Sequence, residues 1–177
     1  MKIVFCDNSL KELLNFRGEI IRHFVSLGHS VFLIAPKNTN VSIPEGCILI
    51  ESSLDRGGTN PIQDLKYLLF LQNIYYKIRP DIVFHYTIKP NIYGSIAARI
   101  CKIKSVAIVT GLGYVFNHNN LKSKVARSLY KIGLKFTDKI ITLNQHNFNT
   151  LLNLNIVSKE KLILLPGGEG VNLNKYL

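Results

Sequence analysis

The stretch Arg79-Pro80-Asp81-Ile82-Val83-Phe84-His85-Tyr86-Thr87-Ile88-Lys89-Pro90-Asn91 decides the fold. Pro80 stops the helix before it, because proline offers no N–H and pushes its predecessor out of helical geometry. Asp81–Thr87 then reads as a strand, and Pro90 opens a helix predicted to reach Cys101. A helix, a short apolar strand and another helix in succession are the material of a βαβ unit.

The same alternation extends in both directions. Upstream, the pattern predicts strands at Lys2–Cys6, Ser30–Ala35 and Cys47–Glu51. A helix is predicted over Asn15–Leu27, closed by Gly28-His29, and another from Asn60-Pro61 to Arg79, with Asn as cap and Pro at the first helical position. Downstream come strands at Ser105–Val109, Lys139–Leu143 and Lys161–Leu165, and helices at Leu121–Phe136 and Gln145–Leu154. The expected fold class is α/β: a Rossmann-like, doubly wound, mostly parallel sheet of about seven strands with helices on both faces. Residues 1–165 form one domain in this reading, and 166–177 start a linker. Ligands in such sheets bind at the carboxyl ends of the strands, which selects loops 7–18, 52–60, 85–91, 110–120 and 144–146.

Composition excludes several classes. Hydrophobic residues make up 47% of the 177, too many for a disordered chain. Cys6, Cys47 and Cys101 form no C-x-x-C or Cys/His pattern, so they read as small buried hydrophobes rather than a disulfide framework or a metal site. No secretory leader is expected in the first residues, since Asp7 interrupts their apolar run. The densest apolar stretch, Tyr67–Tyr76, is half of what spans a bilayer. The net charge is +11, and the segment Arg99–Lys139 carries +8 of it: nine basic residues against Asp138 alone. A localised basic surface points to an anionic partner.

Four groups of residues stand out. In the first loop, Asn15, Arg17 and Gly18 precede or open the first predicted helix, and Arg17 is placed to clamp a phosphate. The fingerprint G-x-G-x-x-G is missing there, which argues against a nicotinamide-dependent oxidoreductase. At the exit of the fourth strand, alternation puts His85, Thr87 and Lys89 on one face, with Asn91 following. The fifth strand exits through Thr110-Gly111-Leu112-Gly113, whose glycines allow a ligand close to the backbone. On the helix from Leu121, the residues Leu121, Val125, Leu129, Ile132 and Phe136 share one face, and Lys124, Arg127, Lys131 and Lys135 fill an adjoining arc. A basic stripe beside an apolar one suits an anionic membrane surface. The commoner role of such an apolar face is core, and the basic arc stands either way.

These pieces resemble a known family. Asn15-Phe16-Arg17-Gly18 through Gly28-His29-Ser30-Val31, then Leu54–Pro61, Arg79–Gly94 and Val109–Phe116, are similar, in order, to segments of the family 4 glycosyltransferases. The strings T-I-K-P-N-I-Y-G and T-G-L-G-Y-V-F carry most of the likeness. The subgroup resembled acts on polyprenyl-diphosphate-linked acceptors in capsule, O-antigen or glycan assembly. The resemblance implies the GT-B fold, with this chain as the N-terminal, acceptor-binding half. It also implies sugar transfer with retention from a nucleotide-sugar, expected to be a UDP-sugar held mainly by a second half that this chain lacks. This half then binds no cofactor and no metal, and alone is expected to be inactive. The implied partners are the donor, the lipid-linked saccharide acceptor and the anionic membrane, with no nucleic acid. The implied location is cytoplasmic, peripheral at the inner face of the membrane. Thr110 stands where many members have a histidine, and Phe84-His85-Tyr86 where many have H-x-H, so no catalytic residue is assigned. The alternative reading is a non-catalytic basic Rossmann-like module that binds anionic membrane or nucleic acid.

Overall fold

The computed structural model describes residues 1–38, 40–54, 60–113, 116 and 121–170, with only the backbone for Leu121 and Lys122. Parts of the expected loops 52–60 and 110–120 and of the segment 166–177 lie outside the described residues. The elements are β1 (Lys2–Cys6), α1 (Leu10–Ser26), β2 (Ser30–Ala35), β3 (Cys47–Glu51), α2 (Pro61–Ile78), β4 (Ile82–Tyr86), a π-helical turn (Pro90–Gly94), α3 (Ser95–Ile100), β5 (Lys104–Val109), α4 (Leu121–Lys135), β6 (Lys139–Thr142), α5 (Gln145–Asn153), a 3₁₀ turn (Lys159–Lys161) and β7 (Leu162–Leu164).

All seven strands are parallel, in the order β3-β2-β1-β4-β5-β6-β7. The order reverses beside β1, as in a doubly wound sheet. Alternation along β1 sends Ile3 and Phe5 to one face, where they pack with Leu10, Leu13 and Ile21 of α1. It sends Val4 and Cys6 to the other, against Tyr67, Leu71 and Tyr75 of α2 and Ala97 and Ala98 of α3. Further along that second face, Ala107, Val109 and Ile140 pack with Tyr130 and Leu134 of α4 and Leu151 of α5. Helices therefore cover both faces unequally: α1 lies on one, and α2, α3, α4 and α5 lie on the other.

Three expectations change. The first helix begins at Leu10 rather than Asn15, so the loop 7–18 shrinks to Asp7-Asn8-Ser9. Ser9 caps it, its hydroxyl accepting from the Glu12 N–H at 3.2 Å, and Leu10, Leu13 and Leu14 continue the buried face. The expected helix Pro90–Cys101 opens with the π turn before α3. Gly94 explains the tight packing there, since a Cβ on it would stand 2.3 Å from the His85 ring. Gly133 of α4 is equally constrained, since its Cβ would meet the Ile92 backbone at 2.6 Å. Finally, β4 ends at Tyr86 and Thr87 adopts a left-handed conformation, φ +68°.

Candidate substrate-binding site

The parallel strands put the ends of β1, β4 and β5 along one edge of the sheet. Asp7 sits at the tip of β1 and is only 1% exposed. Its Oδ1 accepts from the N–H groups of Asn8 at 2.6 Å and Ser9 at 3.3 Å, while Oδ2 has no partner among the described residues. Burial pushes its carboxyl up to about 6, against the pull of the Arg17 guanidinium and the two N–H bonds. The side-chain carbonyl of Asn8 and the hydroxyl of Ser52 are also buried without a described partner. These groups can accept hydroxyl hydrogen bonds, and buried polar atoms left unmet are uncommon.

On the α1 side of the sheet, a cavity of about 710 Å³ opens beside these tips, with Arg17, Phe84, Tyr86, Ile108, Leu143 and Glu169 in its lining. Arg17 is 6% exposed and lies over the Tyr86 ring, its guanidinium 4.5 Å from the centroid. Its Nη2 pairs with the Glu169 carboxylate, and its Nε has no described partner. Burial raises the Glu169 carboxyl, and Arg17 opposes that rise. A planar cation fixed on an aromatic ring, with mostly apolar walls around it, is suited to an amphiphilic anion.

The expected site residues separate into three groups. Asn15 and Arg17 line the cavity, from the second and third turns of α1. Thr87, Thr110, Gly111 and Gly113 stand together at the sheet edge, with Gly111 and Gly113 exposed and a Cβ on Gly113 within 3.8 Å of Ile88. The remaining four are occupied elsewhere. Gly18 is buried in the middle of α1. His85 does not share a face with a ligand-facing Thr87. It is fully buried beneath α2, its Nε2 lies 2.8 Å from the Tyr75 hydroxyl, and burial pushes its pKa down to about 3. Lys89 is joined to Asp64 of α2 at 2.8 Å, and the same carboxylate accepts from the Tyr93 hydroxyl. Asn91 is 1% exposed and donates to the Ile108 carbonyl at 3.1 Å and the Tyr130 hydroxyl at 3.2 Å.

Sequence reading missed Asp7, Tyr86 and Glu169 as site residues. The S-x-x-E pattern of Ser9–Glu12 is the signal that locates the α1 start, and with it Asp7 at a strand tip. Nothing local marks Glu169, whose partner lies more than 150 residues away. Among the described residues, no three His, Cys, Asp or Glu side chains are placed to hold a metal ion.

Residues 8–144 match the model of a family described as glycosyl transferase 4-like. The chain belongs to that family. A relative by sequence is the N,N'-diacetylbacillosaminyl-diphospho-undecaprenol alpha-1,3-N-acetylgalactosaminyltransferase of Campylobacter jejuni, 29% identical over 99% of this chain and 48% of that protein. Two solved structures share the fold. One is a glycosyltransferase from Rickettsia africae (20% identity, TM-score 0.68, 92% of this chain and 42% of that one). The other is the UDP-GlcNAc 2-epimerase of Neisseria meningitidis bound to UDP-GlcNAc (13% identity, TM-score 0.64, 93% and 46%). The glycosyl transferase 4-like chain thus spans about half the length of each of these relatives.

Proposed function

We propose that this chain is the acceptor-side domain of a GT-B glycosyltransferase. The whole protein transfers a sugar, with retention, from a nucleotide-sugar, expected to be a UDP-sugar, to a polyprenyl-diphosphate-linked saccharide. One observation carries the reading: the match along 99% of this chain to the Campylobacter transferase, whose name specifies a diphospho-undecaprenol acceptor. The geometry supports it, because Tyr86, the residue before Thr87 at the β4 tip, lines the cavity in which Arg17 is fixed.

In this reading residues 1–165 are the domain and 166–177 begin the linker to a nucleotide-sugar half. The Arg17 guanidinium, in the cavity lining, is the group for the acceptor's diphosphate. Catalysis is then mainly the positioning of acceptor against donor and stabilisation of charge on the departing nucleoside diphosphate. No metal is required by this domain. The basic group Lys124, Arg127, Lys131 and Lys135 lies on the membrane side, with the protein peripheral on the cytoplasmic leaflet. Lys124, Lys131 and Lys135 are exposed, and Arg127 is half-buried.

The test is transfer of radiolabelled sugar from a panel of UDP-sugars to a polyprenyl-diphosphate saccharide by the full-length protein, with the anomeric configuration of the product read by NMR. Retained configuration is expected, and none of the label is transferred by the 177-residue chain alone. Turnover by the isolated chain, or an inverted product, overturns the reading.

A further inference from the structure

Arg17 is a buried cation with an incomplete set of partners. Its guanidinium lies 4.5 Å from the centre of the Tyr86 ring and 5.3 Å from that of Phe16, in the wall of the cavity. Nε and Nη2 are neighbouring donors on one edge of the guanidinium, the edge that grips an oxyanion at two points. Glu169 Oε2 engages Nη2, and Nε is buried without a partner among the described residues. The edge is therefore half used. A second carboxylate lies within the field of the same cation: burial raises the carboxyls of both Asp7 and Glu169, and Arg17 opposes the rise in each. Glu12 acts on Asp7 through its charge, and Glu19, the other acid of the cavity wall, is paired with Arg22.

The two acids are held differently. Asp7 is fixed at a strand tip, where the N–H groups of Asn8 and Ser9 donate to it. Glu169 sits in the turn Pro166-Gly167-Gly168-Glu169-Gly170, whose three glycines all have positive φ, +82°, +73° and +68°. The Leu165 N–H donates to the Thr142 carbonyl at the end of β7, and the Gly168 N–H donates back to the Leu165 carbonyl at 3.2 Å. That is the last backbone hydrogen bond of the tail among the described residues. Beyond it the turn is tied to the α1 face by the Glu169 carboxylate, and Gly168, Glu169 and Gly170 complete the cavity wall. A phosphate-type oxyanion offers two oxygens to the Nε–Nη2 edge, where Glu169 engages one donor, and charge-assisted contacts of the two-point kind are the stronger.

We propose that Glu169 is a placeholder at the Arg17 site: an incoming diphosphate takes both donors of the guanidinium edge, displaces the Glu169 carboxylate and frees the turn 166–170 from the α1 face. The proposal rests on the assignment of Arg17 to the acceptor's diphosphate in the function proposed above, and adds a positioning residue that acts through Arg17. By linkage, the hold of Glu169 on Arg17 weakens diphosphate binding by the same factor by which the diphosphate weakens that hold. Occupancy of the acceptor site is thereby conveyed to the segment that begins the linker, without any contact between the lipid carrier and the linker itself.

The experiment is calorimetric titration of the 177-residue chain with inorganic pyrophosphate, paired with hydrogen exchange of the tail in the same solutions. Glu169→Gln should bind pyrophosphate about tenfold more tightly than the parent, a coupling of the usual size between two ligands of one group. Arg17→Lys, which keeps the charge and loses the two-donor edge, should bind about tenfold more weakly than the parent. Saturating pyrophosphate should speed exchange at the Gly168 and Glu169 N–H groups of the parent several-fold, and change little in Glu169→Gln, whose turn is already free. The advantage of Glu169→Gln should shrink as acid neutralises Glu169 in the parent; Asp7, Glu12 and Glu19 titrate in both chains and cancel in the ratio. A purely structural role for Glu169 moves none of these. Circular dichroism melts show which variants fold, and Glu169→Gln carries the test alone if Arg17→Lys does not. Equal or weaker binding by Glu169→Gln, pyrophosphate bound with no change of exchange in the turn, or no binding to either chain overturns the proposal. Sugar transfer by the full-length protein separates it from the function it rests on. Transfer to a polyprenyl-diphosphate saccharide with an unmoved turn removes only the placeholder, and a displaced turn without transfer to any lipid diphosphate removes only the sugar-transfer reading.

Discussion

Replacing Asp7 by Asn tests the buried carboxyl at the β1 tip. The Asp7 carboxyl is raised from 3.8 to about 6 in the folded chain. The folded state therefore holds this proton more tightly than the unfolded state, and stability falls as pH rises between those values. The burden on the native state is about 0.5 kcal/mol at pH 4 and about 3 kcal/mol at pH 8. Asparagine removes it and keeps an oxygen for the Asn8 and Ser9 N–H groups. Its amide N–H₂ replaces Oδ2, which has no described partner, at a cost of about 1 kcal/mol. The variant should thus be about 2 kcal/mol more stable than the parent at pH 8, a Tm gain of roughly 4–8 °C for a chain of this size. At pH 4 it should be slightly less stable, with the two crossing near about pH 4.5. Thermal melts of both chains at the two pH values measure this directly, and the other titrating groups cancel in the difference. A variant less stable than the parent at pH 8, or a difference independent of pH, refutes the argument.

Other expectations use the same structure. His85 is held neutral, with its pKa pushed down to about 3, so its contribution is complete above about pH 6.5 and is lost on acidification, reaching about 3 kcal/mol by pH 4; His85→Gln should flatten the acid limb of the denaturation profile. Gly94→Ala drives a methyl into the His85 ring at 2.3 Å and should cost about 3 kcal/mol in urea unfolding. Asn91→Ala removes two buried hydrogen bonds and should cost about 2 kcal/mol in the same assay. Glu169→Gln frees Arg17 from its carboxylate, so millimolar pyrophosphate should raise the Tm of this variant more than that of the parent; equal shifts would remove Arg17 as the anion site.

The fold was legible in the sequence because its signals are local. Asn60-Pro61, Pro80 and Gly28 mark helix ends through capping and dihedral limits, and the structure places α2 between Asn60 and Arg79 as read. The site was less legible, because the residue types that bind ligands also tie a core together. The string Thr87-Ile88-Lys89-Pro90-Asn91-Ile92-Tyr93-Gly94 looks like a binding loop, and most of its polar groups are spent on packing. Lys89 and Tyr93 share Asp64, Asn91 bridges β5 to α4, and Gly94 makes room for His85. Only Thr87 remains at the edge, in a left-handed conformation that a β-branched residue rarely adopts. Such strain persists where the surroundings over-determine it, often at a functional loop.

The apolar face of α4 shows a different limit. Its period of 3.6 was read from sequence, but period alone does not say which side meets the sheet. Two faces of α4 can serve as core: Val125, Leu129, Ile132 and Phe136, or the narrower set Ser123, Tyr130, Gly133 and Leu134. The second wins because Gly133 lets the helix approach Ile92 closely and Tyr130 meets Asn91. Packing density at one glycine outweighs a longer hydrophobic stripe, and the displaced stripe becomes surface. On α2, Tyr67, Leu71 and Tyr75 go inward, and Ile62, Leu65 and Leu69 go outward. Both outward sets stand on the layer where basic residues outnumber acids eight to one, so apolar and cationic side chains share that surface.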